Sequence, residues 1–270
     1  IERARPTNLT AWELYLKALH TFNDRNRSDH EDDGVVQAKK MCEQVIKLDQ
    51  TMSHAYSLMS DIHFAELGQF LTDDSSGTLQ KIYDYAKIAS DLDSKNSIAA
   101  NLLASHYFFS GRFDQSKLYA ERAVKLNPSF PEALYRLGQS LVHSGRYSEA
   151  EPYYHKAIAL SPLDPESNVY KNGLFFSNLG QGNFELALTY NDECRLQFPT
   201  VGTYKGFNAA TLGHLEKTHE AKFALEEYLA LRPNLKKKSD YKKIFVPNSS
   251  LADILIEGLV QAGWQPEEET

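Results

Sequence analysis

Residues 146–162, RYSEAEPYYHKAIALSP, repeat in outline residues 112–128, RFDQSKLYAERAVKLNP. The offset is 34 residues, and it holds when the two stretches are extended backwards. Leu103 pairs with Leu137, Gly111 with Gly145, Phe113 with Tyr147, Ala123 with Ala157, Leu126 with Leu160 and Pro128 with Pro162. Within each copy the apolar residues return at every third and fourth position, which is the spacing of a helix with one buried face. The glycines stand midway, where a helix ends and the chain reverses. The prolines follow the second helix and stop it. Each copy therefore reads as helix–turn–helix. Such a pair cannot hide its apolar face alone, so copies stack in series.

The register continues in both directions. Downstream, Leu174, Gly182, Phe184, Ala187, Cys194 and Pro199 keep the order, then Leu212, Ala221, Leu225, Tyr228 and Pro233. Upstream, AYSLMSDIHFAEL and YDYAKIASDLDS form one pair of helices, and TAWELYLKALHTFN and VVQAKKMCEQVIKLD another. In these two pairs about ten extra residues, GQFLTDDSSG and DRNRSDHEDD, fall at the inter-helix turn. Both inserts are expected to be loops, LTDDSSG a mobile one. Six units are counted, starting near residues 9, 53, 97, 131, 168 and 202. A last amphipathic helix, at about residues 249–263, is expected to cover the end of the stack, because repeat arrays need a polar cap.

The unit resembles the tetratricopeptide repeat. Its matching residues in residues 131–162 are Leu134, Leu137, Gly138, Leu141, Gly145, Tyr147, Ala150, Tyr154, Ala157 and Pro162, and Trp12 stands at the family's aromatic position in the first unit. The resemblance implies an all-α fold, a right-handed superhelical solenoid of about six units plus a C-terminal capping helix. Residues 1–270 are then one domain without an interior linker. It also implies a concave groove lined by first helices, whose second, fifth, ninth, twelfth and thirteenth positions face a partner. Carried onto this chain, those positions give Glu13, Lys17 and His20, then Ser57, Asp61 and Phe64. They continue with Asn101, Ser105, Phe108 and Phe109, then Tyr135, Gln139 and His143, then Asn172 and Phe176. Aromatic rings supply binding area, and the amides can pair with a peptide backbone. Packing between helices is the competing reading for Phe108 and Phe109. Members of the family that clamp a chaperone's terminal carboxylate use cationic residues at groove positions. Here those positions read Asn101, Ser105, Tyr135, Gln139, Asn172 and Phe176, so that partner is rejected.

Composition narrows the functions further. A net charge of −7 argues against a broad nucleic-acid footprint. The lysines at 236–238, 242 and 243 read as a solvated loop. Cys42 and Cys194 fit no zinc spacing and read as two reduced, buried thiols. No apolar run reaches the ~18 residues of a membrane span. There is no phosphate-binding glycine loop, nucleophile elbow or His-Glu-x-x-His helix, so no enzyme and no cofactor are expected. The acidic stretch around HEDD lacks the alternation, glycine and final Glu of a calcium loop, so no metal is expected there. Asn8, Asn26 and Asn248 open Asn-x-Ser/Thr patterns, which matter only in a secreted eukaryotic chain.

The closing helix, with Leu251, Leu255, Leu259 and Gly263, resembles the end of the C-terminal repeat region of bacterial winged-helix transcription regulators and class III nucleotide cyclases. The resemblance implies a regulatory module within a longer cytoplasmic protein, or a periplasmic one if the parent is membrane-anchored. The chain starts at Ile1 and shows no signal-peptide pattern, which fits a part of something larger. Two alternatives stay open. One is a small-molecule sensor holding its ligand near Phe109, Tyr135 and Phe176. The other is a scaffold that associates with itself as a homodimer.

Overall fold

A helix with apolar residues at every third and fourth position has one face that water expels. The described residues fold accordingly into α-helices, fourteen in all. The computed structural model describes residues 8–24, 31–68, 73–162, 167–199, 201–245 and 249–268, with the side chains of 31–33 and 167–168 excepted. The helices are α1 (Leu9–Asn23), α2 (Glu31–Leu48), α3 (Ser53–Gly68), α4 (Ser75–Leu92), α5 (Ser97–Phe109), α6 (Phe113–Leu126), α7 (Pro131–His143) and α8 (Tyr147–Leu160). They continue with α9 (Ser167–Gly180), α10 (Phe184–Gln197), α11 (Thr203–His214), α12 (Thr218–Leu231), α13 (Lys238–Lys242) and α14 (Leu251–Gln261). The first twelve follow one another as the six successive helix pairs that the repeat register predicts. They group into two compact units. Unit 1 runs to His106 and takes in Arg122–Pro128, and unit 2 holds the rest. Within unit 1, α1 packs on α2 and α3 on α4; within unit 2, α7 packs on α8, α9 on α10 and α11 on α12.

In unit 1, α1 buries Ala11, Tyr15, Ala18 and Phe22, one stripe of the helix, against Val35, Ala38, Cys42 and Val45 of α2. Burying each large apolar side chain contributes about 1.5–3 kcal/mol. Small hydroxyls let α3 approach α4 closely, with the Ser53 hydroxyl donating to the Ala89 carbonyl and Ser60 to Ile82, both at 2.8 Å. Asn96 starts α5 by accepting from the Ala99 amide at 3.0 Å, and its amide nitrogen donates to Ser53 and Ser57 at 2.8 and 2.9 Å. One side chain thus caps one helix and ties down another.

The inserts of the first two pairs differ from expectation. Helix α4 begins at Ser75, because the Asp74 carboxylate accepts from the Gly77 amide at 2.8 Å and satisfies a first-turn donor. Part of LTDDSSG is therefore helix, and its residues 71 and 72 lie outside the described residues. Likewise α2 begins at Glu31, where the sequence opens on acidic residues, the type that suits the positive end of a helix dipole. Residues 25–30, with Asn26, lie outside the described residues, as does Asn248.

In unit 2 the packing rule is a ring over a glycine. A Cβ on Gly138 would stand 2.6 Å from the Tyr154 ring, and one on Gly173 would collide with the same ring from the other side. Tyr154, on α8, is thereby held between α7 and α9, and it is fully buried. Gly206 meets Tyr228 in the same way, at 2.8 Å. The turns follow the glycines too. Gly111, Gly145 and Gly182 hold φ of 68°, 83° and 78°, the left-handed conformation that closes a helix. At the last turn Glu216 takes this place with φ 56°. An L-residue with a Cβ is strained there by about 1–2 kcal/mol. Glu216→Gly is therefore expected to raise stability by about 0.5–1 kcal/mol after glycine's extra unfolded-chain entropy, as read from urea unfolding. The lysine-rich stretch is not all loop either. It contains α13, where Tyr241 is buried against Tyr228 and Trp264, and Lys242 pairs with Asp253 at 2.7 Å.

Candidate partner-binding site

The eleven residues read from the sequence as the core of the groove fall in both units. In unit 1, Asp61 and Phe64 are half-buried on α3. Ser105 is 2% exposed and donates its hydroxyl to the Asn101 carbonyl of its own helix at 3.0 Å. The Asn101 side-chain oxygen is enclosed and has no hydrogen-bond partner among the described residues. Ser57 is buried and accepts from Asn96, so it offers nothing to a partner. Glu13, Lys17 and His20 stand on α1, outside the buried stripe of that helix.

Unit 2 brings most of its predicted residues together. Phe108 is 2% exposed and packs edge-on against Phe109 at 5.2 Å and His143 at 4.9 Å. It is an inter-helix residue, whereas Phe109 beside it is 36% exposed. Tyr135 is half-buried between Tyr154 and Tyr170, at 5.8 and 5.3 Å, and burial holds its phenol well above the ordinary value. Phe176 touches Phe175, Phe207 and His143. His143 is buried, with Nδ1 2.8 Å from the Ser249 hydroxyl. Burial first, and the Arg136 charge second, push its imidazole down to about 3, so it is neutral at physiological pH. Asn172 is half-buried, and its side-chain oxygen has no partner among the described residues.

Sequence reasoning missed Arg136. It stands one position after Tyr135, where the groove rule expects nothing, and it is 7% exposed. Its guanidinium lies 5.0 Å from the Phe108 ring centre and 5.4 Å from Phe109. It donates to the Gln139 side-chain oxygen at 2.6 Å. Burial lowers its pKa to about 10, so it keeps its charge at neutral pH. The ring faces and the amide oxygen stabilise that charge away from water. No sequence signal pointed to it, because the rings it stacks on belong to the preceding repeat. The result is an arrangement suited to recognition, with one exposed ring braced by a buried cation and a neighbouring amide. Both cysteines are fully buried, and burial raises Cys42 to about 12 and Cys194 to about 11.

A family model described as tetratricopeptide repeat matches residues 101–165. No curated protein matches the sequence significantly. Among solved structures the chain is similar to YrrB, described as a TPR protein with an unusual peptide-binding site. The identity is 18%, over 71% of this chain and 92% of that one, with a TM-score of 0.50. It is similar to TTC0263, a thermophilic TPR protein of Thermus thermophilus, at 15% identity, 75% and 98% coverage and a TM-score of 0.54. It is also similar to Cut9–Hcn1 of the APC/C hetero-tetramer at 14% identity, with 92% of this chain covered, 46% of that one, and a TM-score of 0.65. At these identities the likeness concerns the fold. The family model shows the repeat within residues 101–165, and the shared architecture shows a fold of the tetratricopeptide-repeat kind. Among the described residues no helix is long and apolar enough to cross a membrane.

Proposed function

We propose that the chain is a non-catalytic interaction module that holds a peptide or partner protein on the first-helix face of unit 2. It would be the regulatory part of a larger bacterial signalling protein, a transcription regulator or a nucleotide cyclase. The carrying observation is Phe109, exposed at the surface while Arg136 and Gln139 brace it from below. A rigid aromatic ring with a buried cation behind it is the kind of anchor that dominates interface energetics. YrrB, with the same fold, is described as having a peptide-binding site, which agrees with this use of the face.

The test is a peptide-display selection on the full chain, followed by Phe109→Ala. The selected peptide should lose about tenfold or more in affinity, the scale of a hot-spot ring, while helicity is retained. A selection that yields no binder, or a binder indifferent to Phe109→Ala, would reject the reading. A metabolite found by fluorescence titration to bind in place of any peptide would favour the small-molecule alternative.

A further inference from the structure

The far end of the first-helix face in unit 2 is already covered, and the chain itself covers it. Helix α14 lies along α11, the first helix of the last pair, and reaches α9. The ninth, twelfth and thirteenth positions of that pair are Ala210, Gly213 and His214, the positions that face a partner under the groove rule. All three meet α14. A Cβ on Gly213 would collide with the Gly258 carbonyl, and a Cβ on Gly258 with the Ala210 carbonyl. The two backbones therefore touch where they cross. His214 Nε2 donates to the Ile254 carbonyl at 2.8 Å.

Leu251, Leu255 and Leu259, spaced by four, are fully buried in this seat, while Asp253 and Glu257 face outwards. The segment that enters α14 is seated as well. Ser249 pairs with His143, the Ser250 amide donates to the His143 carbonyl at 3.3 Å, and the Ser250 hydroxyl lies 3.0 Å from that of Tyr147. His143 and Phe176, both read from the sequence as partner contacts, thus border a place that the chain fills with its own residues.

We propose that this face is a helix-binding seat, that Ser249–Gln261 is its resident occupant, and that a partner engages it with an apolar helix of the same pattern in exchange for α14. That pattern is leucines four residues apart with a glycine at the crossing. The inference rests on the interaction-module reading and names the partner's contacting element. A helix fits the seat because only a backbone without a side chain passes Gly213. The resident helix is tethered, so it competes at an effective concentration on the order of millimolar, and a partner must exceed that advantage.

The probe is a fluorescent peptide of residues 249–264, SSLADILIEGLVQAGW, added to the full chain. In Gly258→Leu the new side chain meets backbone and unseats α14. The variant should bind the peptide at least about tenfold more tightly than the unmodified chain, because the tethered competitor is gone. The double variant Leu255→Ala, Leu259→Ala weakens the resident helix without a clash and should behave likewise, which guards against a misfolded first variant. In the unmodified chain, excess peptide should speed hydrogen exchange in α14 and leave α7 unchanged. Variants that keep wild-type helicity and bind no peptide, or that bind it no better than the unmodified chain, would overturn the seat, as would unchanged exchange in α14. A display-selected peptide that depends on Phe109 and ignores both variants would also overturn it, and would leave the interaction reading standing.

Discussion

Tyr154→Ala is expected to lower the stability of unit 2 by about 3–5 kcal/mol, the cost of emptying a buried aromatic site. The ring is fully buried between Gly138 and Gly173. Neither neighbour has a side chain that could move into the space, so the cavity cannot collapse cheaply. The phenolic hydroxyl tells the opposite story. Among the described residues it has no hydrogen-bond partner. A buried donor without a partner costs about 1–3 kcal/mol, so Tyr154→Phe should leave stability unchanged or raise it by up to about 1 kcal/mol. Urea unfolding followed by circular dichroism reads both variants. If the phenylalanine variant were as unstable as the alanine one, the hydroxyl would be a structural donor and the packing argument would fail.

Acidification should destabilise unit 2 through His143. In the unfolded chain an imidazole titrates near 6.5, whereas in the fold burial and the Arg136 charge hold it at about 3. Between those values the unfolded state binds the extra proton and the folded state does not. Stability is therefore complete above about 6.5 and falls as pH drops towards 3, by about 1.4 kcal/mol per unit at most. From pH 7 to 5 the loss is about 2 kcal/mol. The rings of Phe108, Phe113 and Phe176, the Ser249 hydroxyl and the Arg136 guanidinium surround the group and offer no carboxylate. His143→Gln should remove that part of the pH dependence. His63 in unit 1, also depressed by burial, contributes in the same direction, so the difference between chain and variant isolates His143. Equal pH profiles for the two would show that His143 takes up its proton in the fold as readily as in the unfolded chain.

The helix pairs were legible because their causes are local. Turn glycines, stop prolines and a 34-residue apolar period are each written in consecutive residues, and the backbone angles at Gly111, Gly145 and Gly182 follow from them. The candidate site was legible only in part. Phe109 is exposed and Gln139 half-buried, but Ser57, Ser105, Phe108 and His143, which the same register set on that face, are all buried. The inward turn of Arg136 depends on Phe108 and Phe109, which belong to the preceding repeat, and periodicity carries no such information. The seating of α14 on α11 is of the same kind. Its leucine pattern announces a covered face, but what covers it is decided by a crossing of two glycines in different helices. The early starts of α2 and α4 had a faint signal, an Asp or a run of acids at the head of each, which a polar loop shares.

The two long second helices constrain how the chain could be rebuilt from its own modules. Helices α2 and α4 have 18 residues each, against 14 in α6, α8, α10 and α12. At 1.5 Å per residue the difference is one turn, about 6 Å. In α4 that turn is part of the interior, since Thr78 within it is 4% exposed. A 34-residue pair spliced into the place of α3 and α4 would delete that turn and leave its packing partners wet. Exchange among the third, fourth and fifth pairs keeps the second-helix length, whereas the last pair also carries the Gly213 crossing with α14, and the first two keep their length only by exchange with each other.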